Sequence, residues 1–130
     1  MGLDNGFVMC NLNKKDIPNF ATFWLRDYDE PNKAELIYWR KCWGLRNVVL
    51  DVLHASDDDY RTPVEAEDIP AIIRAIKPFF NEQHWENEGD SIWTYDEMFD
   101  NLVNSVLTLE WMKWYLEEHP DVTCYFYDSY

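Results

Sequence analysis

Residues 38–46 combine aromatic and basic side chains at a spacing that suits nucleotide binding. The candidate ligand-binding residues of this segment are Tyr38, Trp39, Arg40, Lys41, Trp43 and Arg46. On a helix, Trp39 and Trp43 would lie one turn apart and stack on one side, with Arg46 on a neighbouring stripe. A nucleobase could then stack on the aromatic face while the cations hold its phosphates. The spacing fits equally a helix with its tryptophans in the core and its cations in solvent, so both interpretations stay open.

The aromatic C-terminal end supplies two further candidate residues, Tyr127 and Tyr130. They could close the same pocket or reach a second subunit, which would make the protein a homo-oligomer. The preceding stretch, residues 122–127, is too apolar to be left as a free tail. We therefore expect it to form a strand inside a sheet.

Motifs for catalysis or metal binding are missing from the sequence. It has no GxSxG, no HExxH and no CxxC, and its four glycines leave little room for a phosphate-cradling loop. His54 is followed by three carboxylates at 57–59, but consecutive side chains diverge, so a solvated loop is the simpler interpretation. We expect a non-catalytic protein without metal or cofactor.

The charge is strongly negative and unevenly spread. The chain carries 11 basic against 25 acidic residues, a net charge of −14. Residues 1–50 hold seven basic and six acidic groups, whereas residues 51–130 hold four and 19. The overall field repels phosphate, so direct binding to nucleic acid is not expected. A local basic pocket for one anionic ligand, an acidic surface for a basic partner, and charge that serves solubility alone all remain open.

Periodicity predicts one domain over residues 1–130, with an α+β fold in which three helices pack on a small, mainly antiparallel sheet. The predicted strands are 6–12, 60–64 and 122–127, and the predicted helices are 33–54, 65–80 and 94–118. Thr94 and Glu97 match a capping box at the start of the last helix. Gly44, in the middle of the first predicted helix, suggests a close contact with another backbone or a ligand, and a simple packing reason explains it equally well.

The sequence contains few features that indicate a cellular compartment. The three cysteines are far apart and lie among apolar residues, which favours reduced, buried thiols in a cytosolic protein. No apolar run approaches the ~18 residues of a membrane span. The first residues lack the features of a secretory signal.

Three segments together resemble a widespread group of small phage and prophage proteins. They are the opening 1–6 (Met-Gly-Leu-Asp-Asn-Gly), the Tyr-Trp-Arg-Lys of 38–41, and the end 125–130 (Tyr-Phe-Tyr-Asp-Ser-Tyr). The resemblance implies an accessory phage protein in the cytoplasm of the infected bacterium that interferes with host defence. Many members of the group have Ile-His and a further Trp where this chain has Leu45-Arg46 and Val48. Arg46 cannot shuttle protons as histidine does, which argues against carrying over acid–base catalysis.

Three functions follow as hypotheses. The first is a sponge that sequesters a cyclic or ADP-ribose-type nucleotide signal of host immunity. The alternative is an acidic inhibitor, similar to an anti-CRISPR or a nucleic-acid mimic, that binds a basic host defence protein. The third is a small nucleotide hydrolase, for which the sequence offers no motif.

Overall fold

The computed structural model describes residues 3–22, 25–56, 60–89 and 92–129, and they form an antiparallel sheet with helices on one face. The strands are β1 (Asp4–Cys10), β2 (Arg26–Asp27), β3 (Lys33–Arg40), β4 (Arg61–Val64) and β5 (Thr123–Ser129). Their order in the sheet is β2-β3-β1-β5-β4, and each neighbouring pair is antiparallel. The predicted α+β class with an antiparallel sheet is confirmed.

The helices are α1 (Trp43–Val52), α2 (Ile69–Ile76), the single turn α3 (Glu82–His84) and α4 (Tyr95–Glu118). Short 3-10 turns lie at 14–16, 19–22, 66–68 and 77–80, and a π-helical segment spans 85–89. The predicted helix over 65–80 is thus α2 with a 3-10 turn at each end. No helix within the described residues has the length and apolar character that a membrane crossing needs.

The core lies between the helices and the inner face of the sheet. Phe7, Trp39 and Phe126 are fully buried there and contact one another through their rings. Helix α4 closes over them, and its Ser105 hydroxyl accepts a hydrogen bond of 3.2 Å from Trp39 Nε1. Strand β5 lies between β1 and β4, so the aromatic C-terminal segment is an internal strand, as predicted.

The predicted helix over 33–54 is wrong in its first half, because residues 33–40 form β3. A β-bulge between the β1 and β3 partners leaves Leu36 and Ile37 both buried, so the alternation expected of a strand changes phase there. The apolar positions 36, 39 and 43 consequently imitate helical spacing. The backbone φ of Lys41 is 56°, and this left-handed residue separates β3 from the helix that begins at Trp43.

Two local predictions are confirmed. Thr94 Oγ1 accepts from the backbone N–H of Glu97 at 3.2 Å, and Glu97 Oε1 accepts from that of Thr94 at 3.1 Å, which is a complete capping box. Gly44 lies against another part of the backbone, because an added Cβ would overlap the Glu88 carbonyl oxygen and stand 2.8 Å from the ring of Phe79. The cysteines are free, with Cys42 and Cys124 buried and Cys10 partly so.

Candidate ligand-binding face of the sheet

The structure separates the predicted ligand residues, because neighbouring residues of a strand point to opposite faces of a sheet. Trp39 points inward and is fully buried, with its ring edge against Phe7 at a centroid distance of 5.7 Å. It is part of the core, so its predicted role in stacking a base is corrected. Lys41 and Trp43 lie at the junction of β3 and α1, where both side chains are half-buried.

Arg46 is also corrected, from a phosphate ligand to a structural cation. Its Nε and Nη2 each lie 2.8 Å from Asp128 Oδ2, and both side chains are almost fully buried. Asn5 Nδ2 donates to the other carboxylate oxygen of Asp128 at 2.6 Å. The Arg46 guanidinium also lies 5.3 Å from the centre of the Trp43 ring, so Arg46 packs against Trp43 while it pairs with Asp128.

Tyr38, Arg40 and Tyr127 share the opposite side of the sheet, which we call the outer face. Tyr38 and Tyr127 are the two register partners of Gly6, one on each neighbouring strand. Arg40 is exposed and pairs in register with Asp4, whose carboxylate accepts a 2.6 Å hydrogen bond from the Tyr38 hydroxyl. Three predicted site residues therefore do come together, on a strand surface rather than a helix. Tyr130 lies outside the described residues.

Further cations and tyrosines that the sequence did not identify complete the outer face. The face carries four cations, namely Arg26, Lys33, Arg40 and Arg61, and four tyrosines, namely Tyr28, Tyr38, Tyr125 and Tyr127. The missed signal was the strand alternation within 33–40 and 123–129, which places polar and aromatic residues on one side.

The cations of the outer face lie over the tyrosine rings. The Arg26 guanidinium is 5.2 Å from the centre of the Tyr38 ring. On the other half of the face, Arg61 is 5.1 Å and Lys33 is 5.8 Å from the centre of the Tyr125 ring. These are cation–π distances, so the face presents charge and flat ring surface together.

Glu35 is a fully buried carboxyl at the centre of this face. Arg26 Nη1 lies 3.5 Å from its Oε1, and Tyr127 packs beside it over Gly6. Burial raises the pKa of Glu35 to about 7, against the opposing effects of the Tyr127 hydroxyl and of Arg26. Tyr127 lies close enough to affect the pKa of the carboxyl. Neither carboxyl oxygen, however, has a hydrogen bond of good geometry with the described residues. A buried, unsatisfied polar group is a place where a bound molecule gains a hydrogen bond.

Tyr38 and Tyr127 stay neutral at physiological pH. Burial, followed by the hydrogen bond to Asp4, raises the pKa of Tyr38 to about 12. Burial, followed by the interaction with Glu35, also raises the pKa of Tyr127. They therefore offer phenol rings without adding negative charge.

At the β4–β5 edge, Arg61 and Tyr125 also line a cleft of about 620 Å³ that reaches the end of α4.

The described residues contain no group of three or more His, Cys, Asp or Glu side chains placed to hold a metal ion. No protein-family model, curated protein or solved structure matches the chain. The resemblance to phage proteins stays a prediction.

Proposed function

We propose that this protein is a non-catalytic binder of a nucleotide-derived anion, which it holds on the outer face of its sheet. The observation that carries the proposal is the gathering of four cations and four tyrosines on one face of a chain with a net charge of −14. Solubility alone does not require cations to collect beside aromatic rings. Rings and cations together suit a ligand that has a planar base and a phosphate.

The dimensions of the face fit a ligand with two rings. Tyr38 and Tyr127 lie on strands separated by β1, which places them about 10 Å apart across two strand spacings. The whole sheet from β2 to β4 has four spacings and is about 19 Å wide. A cyclic dinucleotide or an ADP-ribose-type molecule could place a base near each tyrosine and its phosphates near Arg40.

Glu35 would give the site selectivity for a base. Its oxygens, one of which lies 3.5 Å from Arg26 Nη1, would accept hydrogen bonds from an amino or ring N–H group when ionised, and its protonated form would donate one. The Arg26 side chain beside Glu35 is 61% exposed, so it has room to move aside and stack on the incoming ring. The site thus combines stacking, phosphate charge and one central hydrogen-bonding group.

The biological setting of the proposal comes from the resemblance to phage proteins. In the cytoplasm of an infected bacterium, a binder of this kind would act as a sponge that removes a nucleotide signal of host immunity. Sequestration needs affinity and abundance and no catalytic group.

Calorimetry with a cyclic dinucleotide and with ADP-ribose tests the proposal, with adenosine as the probe that lacks phosphate. Arg40→Ala should weaken binding by about 2 kcal/mol or more, roughly thirtyfold in Kd, because a charge-assisted contact to phosphate is lost. The matched control is Arg74→Ala, which removes an exposed arginine from α2 and should leave Kd unchanged. Absence of heat with both nucleotides at millimolar concentration, or equal affinity of Arg40→Ala and wild type, would refute the proposal.

A further inference from the structure

Helix α4 has an exposed side of unusual composition, on the opposite side of the helix from its contacts with the sheet. Ten of its residues are exposed, and every one of them is either acidic or a large hydrophobic residue. The acidic ones are Asp96, Glu97, Asp100, Glu110, Glu117 and Glu118. The hydrophobic ones are Phe99, Val103, Leu107 and Trp114. We call this surface the α4 face.

The hydrophobic residues of the α4 face form a stripe along one side of the helix, with the exposed Glu110 in the turn between Leu107 and Trp114. They are separated by four, four and seven positions, the spacing that aligns side chains on one side of a helix. They are between 38% and 53% exposed, so the stripe is open to a partner along its length. Beside Val103 and Leu107 the surface forms an apolar groove of about 440 Å³, whose far wall is Phe80.

Packing contacts hold the first residue of the stripe, Phe99, in place. The Phe99 ring stands edge-on to Phe80 with a centroid distance of 5.6 Å, and lies 5.8 Å from the ring of Tyr95. The capping box at Thr94 fixes the first turn of the helix. A preformed apolar surface avoids part of the ordering cost of association.

The charge around the stripe identifies the kind of partner. Six carboxylates border the stripe, and the one cation of α4, Lys113, is half-buried and paired with Glu117 at 3.1 Å. Lys77 is the single cation that lines the groove itself. A basic partner would meet complementary charge, whereas a second copy with its own charge of −14 would bring like charges together.

We propose that the α4 face is the docking site for a basic amphipathic helix of another protein. The stripe from Phe99 to Trp114 covers 15 helical steps, about 23 Å, which matches a partner helix of about four turns. Apolar side chains of the partner would fill the groove, and lysines or arginines on both flanks would meet the carboxylates. This docking site does not depend on the outer face of the sheet, so it stands whether or not a nucleotide binds there.

The test uses a synthetic peptide of about 18 residues with leucines at helical spacing and lysines and arginines on its flanks. Fluorescence anisotropy measures its affinity for the full-length protein. A scrambled peptide of identical composition separates helix docking from charge attraction alone. The protein variants are Leu107→Gln in the stripe and Glu110→Gln at its border, with Tyr60→Gln as the control because Tyr60 is an exposed ring outside α4.

We expect the patterned peptide to bind at least tenfold more tightly than the scrambled one. Leu107→Gln should weaken binding of the patterned peptide at least tenfold, and Glu110→Gln should weaken it severalfold. Both variants should melt at the wild-type temperature, and Tyr60→Gln should bind the peptide as wild type does. Equal binding of the two peptides, no binding at millimolar concentration, or indifference to Leu107→Gln would overturn the proposal. So would sedimentation that shows a wild-type dimer which Leu107→Gln dissociates, because the occupant would then be a second copy.

Discussion

Replacing the buried carboxyl of Glu35 by an amide should change the pH dependence of stability. Burial raises the pKa of Glu35 from 4.5 to about 7, so the folded state holds its proton more tightly than the unfolded state does. The protonated carboxyl therefore favours folding below pH 4.5, and this contribution is lost as the pH rises to 7 and above. The shift of about 2.5 units corresponds to roughly 3 kcal/mol in total, of which about 2–3 kcal/mol falls between pH 5 and pH 8.

The size of this effect depends on the groups that face Glu35. Arg26 on β2 and the Tyr127 hydroxyl on β5 both favour the ionised form, and Asp4 on β1 opposes it. Desolvation exceeds the two favourable contributions because the carboxyl is fully buried. An amide at this position has a similar shape and does not titrate.

Urea denaturation at pH 5 and pH 8 measures the effect in wild type and in Glu35→Gln. Relative to wild type, the free energy of unfolding of Glu35→Gln should be about 2–3 kcal/mol larger at pH 8 than at pH 5, which means that the variant is relatively more stable at pH 8, whatever its constant offset. Glu86→Gln, which changes an exposed carboxylate, should show no such difference. An offset between Glu35→Gln and wild type that is the same at both pH values would refute the raised pKa.

Two further substitutions test the packing around the site. Arg46→Ala should lower the free energy of unfolding by about 3–5 kcal/mol, because it leaves the buried Asp128 carboxylate without its cation, and chemical denaturation would detect this. Gly44→Ala should cost about 1–3 kcal/mol, since its methyl group would overlap the Glu88 carbonyl oxygen, and a melting temperature equal to that of wild type would contradict the close approach.

Features that depend on residues close in sequence were predictable, whereas the strand conformation of β3 was not. The capping box at Thr94 depends on residues three positions apart, and the close approach at Gly44 follows from a glycine inside a helix. The β-bulge opposite Phe7 and Val8 depends on a distant strand, and it gives β3 an apolar spacing like that of a helix. A short window of sequence contains no sign of that partner.

The candidate site was partly predictable for a related reason. Tyr38, Arg40 and Tyr127 were identified mainly from their residue types. A side chain keeps its chemistry whether its segment is a helix or a strand, so these three remained candidates. Trp39 was misassigned because alternation turns it inward, and Arg46 because its partner Asp128 lies 82 residues away. Glu35 was missed because its importance comes from burial and from groups distant in sequence, such as Tyr127 on β5.

The distribution of charge bears on the size of anion that the proposed site would accept. The net charge of −14 argues against phosphate when the chain is treated as a whole, yet the outer face gathers four cations, whereas the single cation of α4, Lys113, is paired with Glu117. At physiological ionic strength charges are screened over about 8 Å, which is less than half of the sheet's width of about 19 Å. A compact anion at the centre of the outer face would therefore respond mainly to the groups of that face, the cations Arg26 and Arg40 and the carboxyl groups of Glu35 and Asp4 beside them. A long polyanion would extend past the sheet edges toward the carboxylates of the helical side, so a site on the outer face, as we propose it, would accept a small nucleotide more readily than a nucleic acid.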